Sequence, residues 1–150
     1  MSTTIRIDII KSILSEKIDI PSVCKTHYFV HILENFKMFT GNLDVEWFNH
    51  VKHNRKTVEG RLNVDKWTKM KVDNTIVFKC VGAEDTVKVI ITDVRTFKSF
   101  REMLESESHG VNNAMPGDTI DSACEKYKEI YKEKYGSEVV GIKFKLDEST

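Results

Sequence analysis

Long apolar runs are missing from this chain. Nothing approaches the roughly 18–20 consecutive apolar residues of a membrane-spanning helix, so no membrane partner is expected. Net charge is missing as well: 23 basic residues balance 23 acidic ones, which argues against indiscriminate coating of nucleic acid. With two prolines and seven glycines, there is little material for linkers, and neither repeats nor low-complexity tracts occur. The three cysteines, Cys24, Cys80 and Cys124, are odd in number, widely spaced and without a CxxC pair. They read as reduced thiols in a cytoplasmic or nuclear compartment, and none sits in a nucleophile motif. At the start of the chain, Asp8, Lys11 and Glu16 interrupt any secretory core. The phosphate-cradling patterns GxGxxG and GxxxxGKS/T are absent, and no cofactor is expected. Cys24, His27 and His31 would share a helical face and are zinc-ligand types. They lack a nearby fourth ligand, so no metal is expected.

What remains is an ordinary globular composition, 40% hydrophobic and 31% charged over 150 residues, enough for one domain with its own core. Apolar spacing predicts helices over 3–18 and 22–34, although HYFVHIL within the second could pair as a strand, then a strand over 36–40 and a turn at Gly41-Asn42. Asp44 should cap a short helix that buries Trp47, Phe48 and Val51 and stops at Asn54, a residue suited to a left-handed C-terminal position. Strands follow at 57–62, 75–81 and 86–94, with Asp73-Asn74 turning between the first two. Ser99 should start a helix with Phe100, Met103 and Leu104 inward. Residues 106–117 read as a long loop. A second helix from Asp118 or Thr119 carries Ala123, Tyr127, Ile130 and Tyr131 on one stripe and closes at Gly136. A last strand, 139–146, places Val140, Ile142, Phe144 and Leu146 on one face. Short strands with inserted helices predict an α+β fold built on a small closed or half-open barrel.

The most informative stretch is 51–71, VKHNRKTVEGRLNVDKWTKMK. Lys52, Arg55, Lys56, Arg61, Lys66, Lys69 and Lys71 outnumber Glu59 and Asp65, a local excess of five positive charges. In the strand, Val58 and Leu62 face one way while Thr57, Glu59 and Arg61 face the other. An acid, a guanidinium and a hydroxyl side by side suit an anionic, hydrogen-bonding ligand such as a nucleotide. Lys56 stands at the strand entrance. Thr57 and Asn63 can add neutral hydrogen bonds, Arg55 and Lys66 further positive charge, and Trp67 a stacking surface for an unpaired base. The tyrosines at 127, 131 and 135 recur at every fourth residue, as core positions do.

WFNHVKHNRKTVEGRLN with KMKVDNTIVF, then TVKVIITDVRTFKSFREMLE and EIYKEKYGSEVVGIKFKL, together resemble the ASCH domain of the PUA-like superfamily across about residues 36–146. The resemblance implies a small β-barrel flanked by helices at 36–150; residues 1–35, read from their spacing as an N-terminal helical extension packed on the domain, have no counterpart in the minimal family domain. It also implies a cleft for RNA, single-stranded nucleic acid or a modified nucleoside, lined by Lys56, Thr57, Glu59 and Arg61. One bacterial branch resembles an amidohydrolase on N4-acetylcytidine that uses a Lys, a Thr and a Glu. Lys56 matches the lysine, but Glu59 stands at the threonine position and 114–118 (AMPGD) contains no glutamate. The leading expectation is therefore a nucleic-acid-binding module that uses a basic cleft between barrel and helices. Two rivals stand beside it. One is an amidohydrolase on an acylated cytidine, or a ribonuclease, with Lys56 and Glu59 as catalytic groups. The other is a protein-interaction adaptor, or self-association, through residues 1–35.

Overall fold

The computed structural model describes residues 36–148. The expectations for helices at 3–18 and 22–34, for Cys24, His27 and His31, and for docking through 1–35 lie outside the described residues. In chain order the elements are β1 (Met38–Leu43), α1 (Val45–Lys52), β2 (Val58–Leu62), a 3-10 helix (Asp65–Lys69), β3 (Thr75–Cys80), β4 (Thr86–Phe97), α2 (Phe100–Glu105), α3 (Val111–Ala114), α4 (Ile120–Tyr131), a 3-10 turn (Lys132–Lys134) and β5 (Val139–Leu146). Among the described residues, no helix is long and apolar enough to cross a membrane.

The strands form one mixed sheet in the order β1-β3-β4-β5-β2. β1 runs parallel to β3, and every other pair is antiparallel. The sheet curls into an α+β half-barrel, so the half-open alternative is the one realised. The outer strands β1 and β2 meet across an open seam that side chains span. Arg61 donates from Nη2 to the carbonyl of Asn42 at 2.8 Å, and Lys66 donates from Nζ to the carbonyl of Thr40. On its other edge β1 is occupied by β3, with the carbonyls of Lys37 and Leu43 accepting from Thr75 and Val81.

Strand alternation divides the interior into two cores. Val140, Ile142 and Phe144 of β5 join Phe48, Val51, Ile76 and Phe78. Val139, one residue out of phase, joins Val58, Phe100, Met103 and Tyr127 on the other side. Ser99 caps α2 by accepting from the Glu102 amide at 3.1 Å, and Phe100, Met103 and Leu104 are buried as the spacing predicts. Thr119 and Ser122 form a reciprocal capping box at the start of α4.

Four boundaries differ from the expectation. Gly41-Asn42 lies inside β1 rather than in a turn. A Cβ on Gly41 would come within 3.1 Å of both Phe78 Cε1 and Trp67 Cη2, so glycine serves close packing there. β4 continues to Phe97 through a register shift between Ile91 and Asp93, a bulge that lengthens its pairing with β5. The 106–117 segment is no open loop: it contains α3 and a fully buried His109. Helix α4 stops at Tyr131, where Lys132 takes φ +51°, well before Gly136. Ile130, expected inward, is 59% exposed.

Candidate functional site

The end of α1 aims Lys56 into the protein. Asn54 adopts φ +58°, the left-handed stop that its residue type favours. The amides of Arg55 and Lys56 then both donate to the His50 carbonyl, at 2.8 and 3.0 Å. The chain reverses, and β2 begins with its first turn tied down: the Thr57 amide donates to the Asn113 carbonyl and the Thr57 carbonyl accepts from Phe144, both at 2.9 Å.

Lys56 is 2% exposed, not at a solvated entrance. Its ammonium donates to the carbonyls of Val58 at 2.7 Å and Ala114 at 2.5 Å, and lies 3.4 Å from Glu59 Oε1. The other oxygen of Glu59, Oε2, accepts from Arg61 Nη2 at 3.0 Å and Nε at 3.3 Å. Arg61 carries on to the Asn42 carbonyl, and its guanidinium rests 4.6 Å from the centroid of the Trp67 ring. A continuous polar chain thus runs from α3 through Lys56, Glu59 and Arg61 to β1. Burial pushes the Lys56 ammonium below the usual lysine range, against the attraction of Glu59. Burial pulls the Glu59 carboxyl up, but Lys56 and Arg61 outweigh it and hold the group ionised, below the usual carboxylate range.

This chain forms one wall of a pocket of about 260 Å³. Trp47 of α1, Met115, and Tyr127 and Tyr131 of α4 make other walls, with Asn42, Asp44, Val81 and Ile130 toward β1 and the rim. Gly60 sits where a Cβ would come within 2.7 Å of Met103 Cε and 2.9 Å of the Tyr127 hydroxyl, so its bareness lets both side chains reach under β2. Lys126, held by Asp118 at 2.9 Å, lies 5.0 Å from the Trp47 ring centroid.

Of the residues singled out from sequence, Lys56, Glu59 and Arg61 come together in the pocket wall; the other five do not line it. Arg55 points to His50 Nδ1 at 2.9 Å. Thr57 is engaged through its backbone. The Asn63 amide donates to Glu138 at 2.6 Å. Lys66 serves the seam and packs 5.2 Å from the Trp67 ring centroid. Trp67 is 8% exposed beneath Arg61, so it offers no open stacking face. Trp47, Tyr127 and Tyr131 were legible only as helix positions facing a core. Asn42 contributes a backbone carbonyl, which has no signature in sequence.

Residues 42–145 match the ASCH domain family. A hypothetical protein of known crystal structure is similar over 73% of this chain and 98% of its own, at 29% identity and a TM-score of 0.62. A protein of Pyrococcus furiosus, solved by NMR, is 31% identical over 74% of this chain and 98% of its own, with a TM-score of 0.55. An ASCH domain from Lactobacillus crispatus shares the fold alone: 10% identity and a TM-score of 0.54, covering 97% of this chain and 96% of that one. No curated protein matches the chain.

Proposed function

Because this chain belongs to the ASCH domain family, which is PUA-like and associated with RNA binding or hydrolysis, we propose that it binds one nucleotide unit, free or unstacked in single-stranded RNA. The observation that carries this reading is the pocket itself: a buried Lys56–Glu59–Arg61 chain along one wall and the aromatic residues Trp47, Tyr127 and Tyr131 on others. Its volume lies below the roughly 300 Å³ at which drug-sized sites begin, a size for one base with its sugar rather than a folded ligand. The rings supply apolar surface for a base, Glu59 can accept from an exocyclic amine, and Arg61 can turn toward an acceptor or phosphate.

The positive charges of the pocket are already paired with Glu59. Binding of a nucleoside should therefore depend little on salt. The exposed Lys66, Lys69 and Lys71 would add a salt-sensitive contribution for an oligonucleotide. An amide-resolved NMR titration with the four ribonucleosides and a short single-stranded RNA, at two salt concentrations, tests this. Shifts centred on Trp47, Lys56 to Arg61 and Tyr131 are expected. A well-folded spectrum with no shifts there would sink the reading, as would unchanged affinity in Arg61→Ala.

The 3.4 Å approach of Lys56 to Glu59 favours a second reading, hydrolysis of an acylated pyrimidine or of RNA. The pair would exchange a proton with a ligand seated against it. That reading expects turnover to vanish in Lys56→Ala; an acetylcytidine and RNA panel that gives no product with the unaltered chain would exclude it.

A further inference from the structure

Among the described residues, two buried side-chain polar atoms lack a hydrogen-bond partner: His109 Nε2 and the hydroxyl of Tyr127. Tyr127 lines the pocket. Its ring stacks on Phe100 with centroids 4.0 Å apart and planes 14° from parallel, so one face of the ring is used in packing. Phenylalanine would fill the same stack. The hydroxyl adds nothing to that stack and carries the penalty of a buried polar group without a partner.

The groups that act on this hydroxyl show where it lies. Glu59, Tyr131 and Arg61, all pocket-lining, are among its electrostatic neighbours, and its oxygen sits against Gly60, which also lines the pocket. Burial, reinforced by the charge of Glu59, raises its pKa well above that of an ordinary tyrosine, so it stays a neutral O–H. By contrast, the charged neighbours are committed: Lys56 to two carbonyls and Glu59, and Glu59 to Lys56 and Arg61. Arg61 is bound to Glu59 and Asn42. A ligand entering the pocket must share those groups with the partners they already hold. The Tyr127 hydroxyl, closed off from solvent against Gly60, has no such partner to give up; a base reaches it by displacing the side chains that cover it.

We infer that Tyr127 is a specificity-determining residue of this pocket, its hydroxyl donating a hydrogen bond to a carbonyl oxygen or ring nitrogen of a bound nucleobase. This rests on the nucleotide-binding reading above and deepens it: the ligand presents an acceptor to Tyr127 beside whatever it presents to Glu59.

The test pairs stability with affinity in the full chain. Tyr127→Phe should raise the thermal midpoint, by about 2–4 °C if the relief is near 1 kcal/mol. It should also weaken whichever of the four ribonucleosides binds the unaltered chain by roughly threefold to tenfold, the range of one neutral hydrogen bond. Tyr135→Phe removes a hydroxyl from the same ring stack, 5.9 Å from Phe100 and outside the pocket, and should leave affinity unchanged. Equal affinity in the unaltered chain and Tyr127→Phe would overturn the inference while leaving the pocket reading intact. A lowered midpoint in Tyr127→Phe would mean the hydroxyl holds a structural partner, and would overturn it too. If the unaltered chain binds none of the nucleosides, both readings fall together.

Discussion

A single carboxylate, Glu59, holds a buried cation, Lys56, and a half-buried one, Arg61, in place. Replacing it by glutamine leaves Lys56 and Arg61 facing a neutral group. Removing one partner of a buried ion pair costs about 3–5 kcal/mol, and urea denaturation of Glu59→Gln should show a loss of that order. The pH dependence follows from the direction of its shift. The folded pKa lies below the ordinary value of 4.5, so the unfolded chain takes the proton more readily. The stability Glu59 contributes is present above that value and is lost as pH falls below it, and Glu59→Gln should flatten this part of the acid-unfolding curve. His109 acts in a higher window. Burial depresses its pKa below 6.5, with Arg95 and Lys143 adding to the effect and Asp93, 3.9 Å away, opposing it. The unfolded chain again binds the proton first, so stability declines as pH falls through 6.5. In His109→Gln that slope, read from denaturation midpoints between about pH 7 and 5, should disappear whatever the variant's absolute stability. Sequence made the Glu-x-Arg pair legible because strand alternation puts Glu59 and Arg61 on one side, and Lys56 legible because it stands at the strand entrance. It could not show how far this side is buried, since its partners Ala114 and Asn42 come from α3 and β1, outside the strand itself. His109 gave no signal at all in a serine- and asparagine-rich stretch.

At the level of elements, α1, α2 and the start of α4 were legible, whereas α3 was not. Ser99, the inward Phe100, Met103 and Leu104, and the left-handed Asn54 all behave as their residue types dictate. All five strands were recognised and β5 has the expected bounds, but β1 and the end of β4 differ, because a partner strand decides where pairing stops. β1 is the clearest case. Gly-Asn has turn chemistry, yet register opposite Phe78 and contact with Trp67 demand a residue without a side chain at Gly41. Gly41→Ala should therefore force the Trp67 and Phe78 rings aside and destabilise the domain by about 1–3 kcal/mol. In a Trp47→Phe background, Trp67 emission should move to longer wavelength as the ring loses its cover. Helix α4 shows the opposite limit. Its stripe of tyrosines reads as core, and their rings do stack on Phe100, but ring packing hides the fact that two of the three also border a pocket.

For the whole molecule, the order of elements was enough to predict a small barrel with inserted helices, and the curled five-strand sheet agrees. Whether the barrel closes was not legible. Closure depends on the distance between β1 and β2, which are separated in sequence by α1 and by the full width of the sheet. The five-charge excess of 51–71 also dissolves in three dimensions: Lys56 is interior, Arg61 and Lys66 span the seam, and Lys52 borders a different surface near Thr86 and Leu146. The seam makes a prediction of its own. The Thr40 and Asn42 carbonyls lie on the unpaired edge of β1, the kind of edge that recruits another chain when bare. The double variant Arg61→Ala/Lys66→Ala should self-associate at concentrations where the unaltered protein does not, as light scattering would report.

That seam also couples two properties that natural selection would otherwise tune separately. Arg61 helps to wall the pocket and at the same time shields a strand edge from neighbouring molecules in a crowded cell. On the proposed reading, exchanging this residue to suit a new ligand would also expose the edge. Recognition should therefore diversify through Trp47, Tyr127 and Tyr131 on the helices opposite, while the guanidinium at the barrel's unfinished joint is the part least free to change.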